Sequence, residues 1–201
     1  CPQSTPGRDT SFKRKLPLKD FEKILDKITP EHGKPVIGLS GSGEATMAKD
    51  LADYIKIVKK RNLDVFIYTN GARVVGDYMK SLVDAGIDLI RFSIIGYNQE
   101  IYKKWMDSDN FNLVLKNAKE ANDYIKKSNS NCKISTYHLI TDNNKLEMEK
   151  DKYQKIIKDL DCYGYIWKMH NMSGNYANSE NPRNSKEKVS CGRPFAPELT
   201  V

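Results

Sequence analysis

Short strand-like runs alternate along this chain with segments of helical spacing, and this alternation constrains the fold more than any other feature. Five runs have strand length and are rich in β-branched or aromatic residues, with turn-forming residues after them: residues 35–40, 64–70, 88–95, 132–140 and 163–170. Apolar residues at helical spacing form five stripes: Phe21, Ile24, Leu25 and Ile28; Met47, Leu51, Ile55 and Val58; Met79, Leu82 and Val83; Phe111, Val114, Leu115, Ala118, Ala121 and Ile125; Tyr153, Ile156, Ile157 and Leu160. The pattern predicts an α/β fold with a parallel sheet and right-handed crossovers.

The number of units narrows the architecture further. Five β-α units are more than a small ferredoxin-like fold contains. They are fewer than the eight units of a closed barrel of ~250 residues. A doubly wound sheet and a partial barrel both fit the pattern. Residues 173–188 are polar and rich in Asn and Ser, which predicts a linker or long loop.

Composition excludes several classes of protein. The chain has 201 residues, of which 39% are hydrophobic, enough for one domain with a sizeable core. Mean hydropathy is -0.64 and no apolar run approaches the ~18 residues of a membrane span, so we expect no membrane association. A net charge of +7 permits an anionic partner, but the basic residues are scattered along the helical segments, which disfavours nucleic acid. The chain begins at Cys1 without a leader and reads as an internal segment of a longer protein, for which we expect the cytoplasm.

Residues able to bind a ligand follow the predicted strands. They are Gly41-Ser42-Gly43-Glu44, Thr69-Asn70-Gly71, Ser93 with Gly96, His138, and His170 with Asn171. Parallel α/β folds bind ligands at the C-terminal ends of their strands, where glycines let the backbone approach closely. Taken alone, each of these residues is better explained as part of a turn or, for the histidines, as a packed or surface residue. Their shared position is what predicts a site.

The glycine-rich segment after the first strand is not a nucleotide phosphate loop. It lacks the lysine of G-x-x-x-x-G-K-[ST], and Thr46 stands where G-x-G-x-x-G requires its third glycine. Two interpretations of Glu44 remain open: a buried carboxylate facing a cationic group, or an acid favoured by the dipole of the following helix.

The four cysteines include no C-x-x-C pair, so a self-contained zinc site is not expected. A disulfide framework is not expected either, because the chain is large, poor in cysteine and shows no secretory signal. Cys132 and Cys162 adjoin predicted strands, which is typical of buried thiols. Cys1 and Cys191 lie in loop-like, proline-containing contexts that suit iron–sulfur ligands better than packing.

Taken in order, these motifs resemble the radical S-adenosylmethionine (radical SAM) enzymes, in particular the branch with a SPASM-type C-terminal extension. Cys1-Pro2 is similar to the end of the C-x-x-x-C-x-x-C signature, and residues 41–45 are similar to the G-G-E motif. Residues 69–71 match the Thr-Asn-Gly that often ends the next strand, and residues 93–96 match S-[IV]-x-G. Residues 191–195 resemble the first cysteine of the auxiliary-cluster domain.

The resemblance implies a partial (β/α) barrel of the radical SAM type over residues 1–172, which lacks an upstream strand and the first two cluster cysteines. It further implies a linker over residues 173–190 and the start of a SPASM-type extension over residues 191–201. The implied cofactors are a [4Fe-4S] cluster, S-adenosylmethionine (SAM) and an auxiliary iron–sulfur cluster. The implied partners are a small-molecule or peptide substrate and an electron donor such as flavodoxin or ferredoxin.

The resemblance also implies roles for individual residues. Cys1 is expected to bind the SAM-binding cluster and Cys191 an auxiliary cluster. Gly41, Ser42, Gly43 and Glu44 are expected to meet the SAM amino group; Thr69, Asn70 and Ser93 its ribose or carboxylate; His138 and His170 the adenine or the substrate.

The chain departs from the family pattern at several positions. Ser42 precedes the second glycine of G-G-E, Ala45 replaces a proline, and Lys103 and Lys104 stand where many relatives place an arginine. Two alternatives therefore stay open: a non-catalytic, degenerate α/β ligand-binding module, and a basic barrel that binds phosphorylated or nucleic-acid ligands.

Overall fold

The computed structural model describes residues 15–28, 33–40, 43–168 and 198–200. Its strands are β1 (Val36–Gly38), β2 (Asp64–Thr69), β3 (Leu89–Ser93), β4 (Lys133–Ile140), β5 (Tyr163–Lys168) and β6 (Glu198–Thr200). Its α-helices are α1 (Leu18–Leu25), α2 (Leu51–Lys59), α3 (Gly76–Asp84), α4 (Gln99–Met106), α5 (Phe111–Lys127) and α6 (Leu146–Leu160). Short 3-10 helices span Ala45–Met47 and Asn143–Lys145.

The strands form one parallel sheet in the order β5-β4-β3-β2-β1-β6. The five predicted strands therefore lie side by side in chain order, without the reversal of order that defines a doubly wound sheet. Right-handed crossovers between successive neighbours place the connecting helices on one face of such a sheet. The predicted α/β fold is confirmed, and the order of the five predicted strands agrees with its partial-barrel form.

One strand of the sheet was not predicted. β6 pairs in parallel with the free side of β1, with Leu199 opposite Ile37. The resemblance implied that residues 198–200 belong to the start of a SPASM-type extension; in the structure they pair with β1 at the edge of the sheet. The division of the chain at residues 172 and 190 stays a prediction.

The two faces of the sheet differ in burial because successive side chains of a strand point in opposite directions. Along β2, Val65, Ile67 and Thr69 are fully buried, whereas Phe66 and Tyr68 are partly exposed. The helix-covered face supplies the main core. The opposite face, which we call the inner face, carries Phe66, Tyr68, Arg91, Ser93, Ser135, Tyr137, Tyr163, Tyr165 and Trp167.

The predicted apolar stripes correspond to α1, α2, α3, α5 and α6, with two exceptions. Ile28 of the first stripe lies beyond the end of α1 at Leu25. Met47 lies in a 3-10 helix before α2 and is 64% exposed, so its assignment to the α2 stripe was wrong. None of the helices in the described part of the chain combines the length and apolar character needed to cross a membrane.

No apolar stripe predicted helix α4; only the resemblance implied a helix here, the one in which many relatives place an arginine. It begins after Asn98, whose side-chain oxygen accepts the N–H of Ile101 at 2.9 Å. It ends at Asp107, which adopts a left-handed conformation with φ of 52°. Capping residues and not an apolar stripe define this helix, since Tyr102 is its one fully buried residue.

Candidate functional site

The carboxylate of Glu44 joins the end of β1 to the end of β2. Its Oε1 accepts the N–H and the hydroxyl of Thr46, at 3.1 and 2.6 Å, and the hydroxyl of Thr69 at 2.7 Å. Its Oε2 accepts the backbone N–H of Asn70 at 2.7 Å. Each of the two interpretations of Glu44 is partly right. The side chain caps the following 3-10 helix, as expected for an acid at the start of a helix. It is also half-buried at the C-terminal end of the sheet, as expected for a carboxylate of a binding site.

The segment after β2 is organised by hydrogen bonds within the turn. The hydroxyl of Thr69 accepts the N–H of Gly71 at 3.0 Å while it donates to Glu44, and Asn70 Oδ1 accepts the N–H of Ala72 at 3.0 Å. Thr69 is 1% exposed, so its hydroxyl positions Glu44 and the turn from within. Its predicted contact with ribose or carboxylate stays a prediction.

The turn is also fixed from the helix side. Gly71 has φ of +77°, and a Cβ there would lie 2.5 Å from the Phe92 ring, so only glycine fits. Asn117 of α5, fully buried, donates from Nδ2 to the carbonyl of Gly71 at 2.9 Å. Sequence analysis missed Asn117, although a buried asparagine on the apolar face of a helix is a recognisable signal of such a role.

Two polar groups at this end of the sheet retain capacity to bind a ligand. A carboxylate has about four acceptor sites, and Glu44 Oε2 receives a single donor among the described residues. The Nδ2 of Asn70 has no hydrogen-bond partner in the part of the chain that the structure describes. Gly43 beside them is exposed. An ammonium group at Oε2 and an oxygen acceptor at Asn70 Nδ2 are the chemistry that this arrangement suits.

Ser93 ends β3 on the inner face. It lies opposite Tyr137 of β4, and its hydroxyl interacts with that of Tyr137. Burial raises the pKa of Tyr137 above its usual range, so the phenol stays protonated and able to donate. Ser93 is partly exposed and therefore accessible to a ligand above the sheet.

His138 lies within the core and not at the surface of the site. Its side chain is fully buried, its Nδ1 accepts the N–H of Gly96 at 3.0 Å, and its Nε2 lies 2.9 Å from Glu149 Oε2. Because Nδ1 is an acceptor, the proton is on Nε2, and the ring is neutral. Burial lowers the pKa of His138, although Glu149 opposes this shift. Contact between His138 and a ligand would require one of these bonds to break.

Glu149 is a buried carboxylate that sequence analysis missed. It accepts the N–H and hydroxyl of Thr141, at 2.8 and 2.6 Å, and the N–H of Asp142 at 3.1 Å, besides its bond to His138. Its oxygens are therefore satisfied within the chain, and its role is to tie α6 to the end of β4.

The remaining predicted site residues, Gly41, Ser42, His170, Cys1 and Cys191, lie outside the described residues. Among the residues described, no three His, Cys, Asp or Glu side chains form a group that would hold a metal ion. Burial raises the pKa of Cys132 to about 12 and that of Cys162 to about 11, which agrees with the prediction of buried thiols.

Comparison with known proteins agrees with this fold. Residues 1–151 match the Radical SAM superfamily. A probable GTP 3',8-cyclase of Thermococcus kodakarensis is 29% identical over 119 residues, which are 59% of this chain and 38% of that protein. The chain thus spans well under half of that relative.

Solved structures show the same fold at low sequence identity. Streptococcus suis SuiB bound to its precursor peptide SuiA has a TM-score of 0.66 at 15% identity, over 84% of this chain and 36% of SuiB. SuiB bound to S-adenosylmethionine has a TM-score of 0.59 at 15% identity, over 75% of this chain and 33% of SuiB. With the family model matching three quarters of its length, this chain belongs to the radical SAM superfamily.

Proposed function

We propose that the protein containing this chain is a radical SAM enzyme that modifies a peptide or a sugar-type substrate. The observation that carries the proposal is the Glu44 carboxylate, held between β1 and β2 with Oε2 able to accept one more donor, in a chain that belongs to this superfamily. A peptide is the first substrate class to test, since SuiB, which shares the fold, has been crystallised with its precursor peptide.

The residues at the strand ends fit SAM. Glu44 Oε2 would accept the amino group of SAM, together with backbone atoms of Gly41, Ser42 and Gly43. Asn70 Nδ2 and the Ser93 hydroxyl would donate to its carboxylate or ribose. Thr69 and Asn117 would act indirectly, because they hold Glu44 and the turn in place.

A [4Fe-4S] cluster with SAM supplies, when bound and reduced by one electron, a 5′-deoxyadenosyl radical that removes a hydrogen atom from the substrate. In the proposal, Cys1 is one ligand of that cluster, and Cys191 binds an auxiliary cluster in a SPASM-type extension. Flavodoxin or ferredoxin would supply the electron, and oxygen-labile clusters favour the cytoplasm. The protein's share is to orient SAM and to exclude water and stray hydrogen donors.

The test uses the full-length protein, purified without oxygen and reconstituted with iron and sulfide. We expect incubation with SAM and dithionite to yield 5′-deoxyadenosine by mass spectrometry. We expect Cys1→Ala to abolish this product and to lower the iron content by that of the SAM-binding cluster, while the auxiliary cluster remains. Cys162→Ala is the matched control, because it removes a partly buried thiol just before β5, at the opposite end of the strand from the candidate site. Unchanged iron content and product in Cys1→Ala would refute the cluster assignment. An intact cluster without product would favour the ligand-binding module.

A further inference from the structure

Arg91 lies in the middle of β3 on the inner face of the sheet. It is paired with Tyr68 of β2 on one side and Ser135 of β4 on the other. Ser93, at the strand end, follows two residues later on the same face. Arg91 therefore lies one layer deeper in the partial barrel than the residues proposed to bind SAM.

The guanidinium of Arg91 is held in a fixed position. Its Nε donates to Ser135 Oγ at 3.0 Å and its Nη1 donates to Tyr68 Oη at 2.8 Å. Its Cζ lies 4.6 Å from the ring centre of Tyr165, 5.1 Å from that of Tyr68 and 5.9 Å from that of Trp167. Because a guanidinium carries five N–H donors, three of them remain without an acceptor among the described residues.

The charge of Arg91 has no counterpart among the described residues either. Its neighbours are hydroxyls and aromatic rings, whereas Arg61, which follows α2, pairs with Asp26 at 2.6 Å. A half-buried cation without an anion is costly unless one binds from outside. The site is also accessible: Tyr165 and Trp167 beside it are 40% and 39% exposed.

Aromatic stacking stabilises a guanidinium from its faces, but the free donors lie in its plane. An in-plane pair of N–H groups is suited to the two oxygens of a carboxylate or phosphate. The aromatic rings around it would then cover the part of the ligand next to the anionic group.

We propose that Arg91 and the inner-face residues Tyr68, Ser135, Tyr165 and Trp167 form a subsite that binds a carboxylate or phosphate of the substrate. The identification of the ligand as a substrate rests on the proposed function. Binding of an anion at this subsite does not itself require radical chemistry. For a peptide, the group would be an acidic side chain or the C-terminal carboxylate.

The test is a ¹⁹F NMR titration of the full-length protein labelled with 5-fluorotryptophan. Loss of a signal in Trp167→Phe assigns the Trp167 resonance. Inorganic phosphate and, separately, acetate are then added at constant ionic strength maintained with chloride. We expect a saturable shift of the Trp167 signal, and the tighter of the two probes identifies the class of anion. A shift that does not saturate with either probe overturns the proposal.

Variants separate anion binding from folding. Arg91→Gln should raise the apparent Kd of the probe by ~10-fold or more, since it removes charged donors. Arg61→Gln, which removes the same charge from the outer surface, should leave the titration unchanged. If Arg91→Gln unfolds, Arg91→Lys keeps the charge and should retain a weakened shift. Equal affinity in the wild type and a folded Arg91 variant overturns the proposal.

A last arm distinguishes the substrate's anion from the carboxylate of SAM. In cluster-reconstituted protein saturated with SAM, we expect the probe to shift Trp167 with unchanged affinity. Displacement of the probe by SAM would assign Arg91 to SAM and overturn its assignment to the substrate. Because the first titration needs no cluster, its result stands whether or not 5′-deoxyadenosine is formed.

Discussion

The backbone N–H of Asn70 donates to Glu44 Oε2 at 2.7 Å, so a side chain that follows β1 fixes the backbone that follows β2. The two residues are 26 positions apart in sequence. This hydrogen bond connects the ends of β1 and β2. A substitution at Glu44 therefore removes a direct contact with the Thr-Asn-Gly turn.

Glu44→Gln should weaken SAM binding and also lower the stability of the fold. The amide removes the negative charge and places an NH₂ against a donor, so we expect the Kd for SAM to rise by ~10-fold or more and unfolding to lose ~1–3 kcal/mol. Anaerobic calorimetric titration and urea unfolding measure the two effects. Glu120→Gln is the control, because Glu120 lies on α5 in a surface ion pair with Lys116 at 3.7 Å. SAM affinity equal to that of the wild type would contradict the role of Glu44.

Gly96→Ala should destabilise the protein severely. Gly96 has φ of +135°, and a Cβ there would lie 2.5 Å from the backbone nitrogen of Tyr102 in α4. Backbone cannot move aside as a flexible side chain can. We therefore expect the free energy of unfolding to fall by more than ~3 kcal/mol, as measured by urea unfolding. Gly33→Ala is the matched control: its φ is +71°, but nothing lies within 4 Å of the added atom. Left-handed strain alone predicts a loss of ~1–2 kcal/mol there. Similar losses at both positions would show that the close approach of α4 is unimportant.

Stability should fall on acidification through the titration of His138. Its pKa in the folded protein is depressed by burial below the usual 6.5, so the unfolded state binds the proton first as pH falls. The folded state is therefore favoured above about pH 6.5 and loses stability below it, by up to ~1.4 kcal/mol per pH unit. Urea unfolding between about pH 5 and pH 8 measures this slope.

The comparison variant for this slope is His138→Gln, which keeps a donor and an acceptor but does not titrate. It should be less stable than the wild type at the alkaline end of this range, because its amide fits the Gly96 and Glu149 partners less well. It should also show a shallower slope at the acidic end. An identical slope in both proteins would assign the acid sensitivity to other groups.

The sequence predicted most of the sheet because its signals are local. β-branched and aromatic runs ending in turn residues mark β1 to β5, and glycines such as Gly71 and Gly96 occupy positions where no other residue fits. Apolar periodicity missed helix α4 because capping by Asn98, and not an apolar stripe, defines it. β6 was missed because its pairing with β1 depends on residues far apart in sequence.

The site was predicted as a set of positions but not as a set of contacts. Glu44, Thr69 and Asn70 were expected to meet a ligand, and their own hydrogen bonds follow only from where β1 and β2 end relative to each other. His138 sits on the helix-covered side of β4, a side that strand periodicity alone does not identify for a polar residue. Arg91 offered a usable signal, since a charge inside a strand next to buried residues indicates a second, polar face.

The side-by-side order of β1 to β5 also has a consequence for how the protein is made. Each strand pairs with the one synthesised just before it: Val36 with Asp64, Phe66 with Leu89, Leu89 with Lys133 and Ser135 with Tyr163. Such short sequence separations keep the loop-closure cost of each addition low, so the sheet can grow on the ribosome in the order of translation. The Glu44–Asn70 bond belongs to the pairing of β1 with β2, and the aromatic surroundings of Arg91 are completed only when β5 is added.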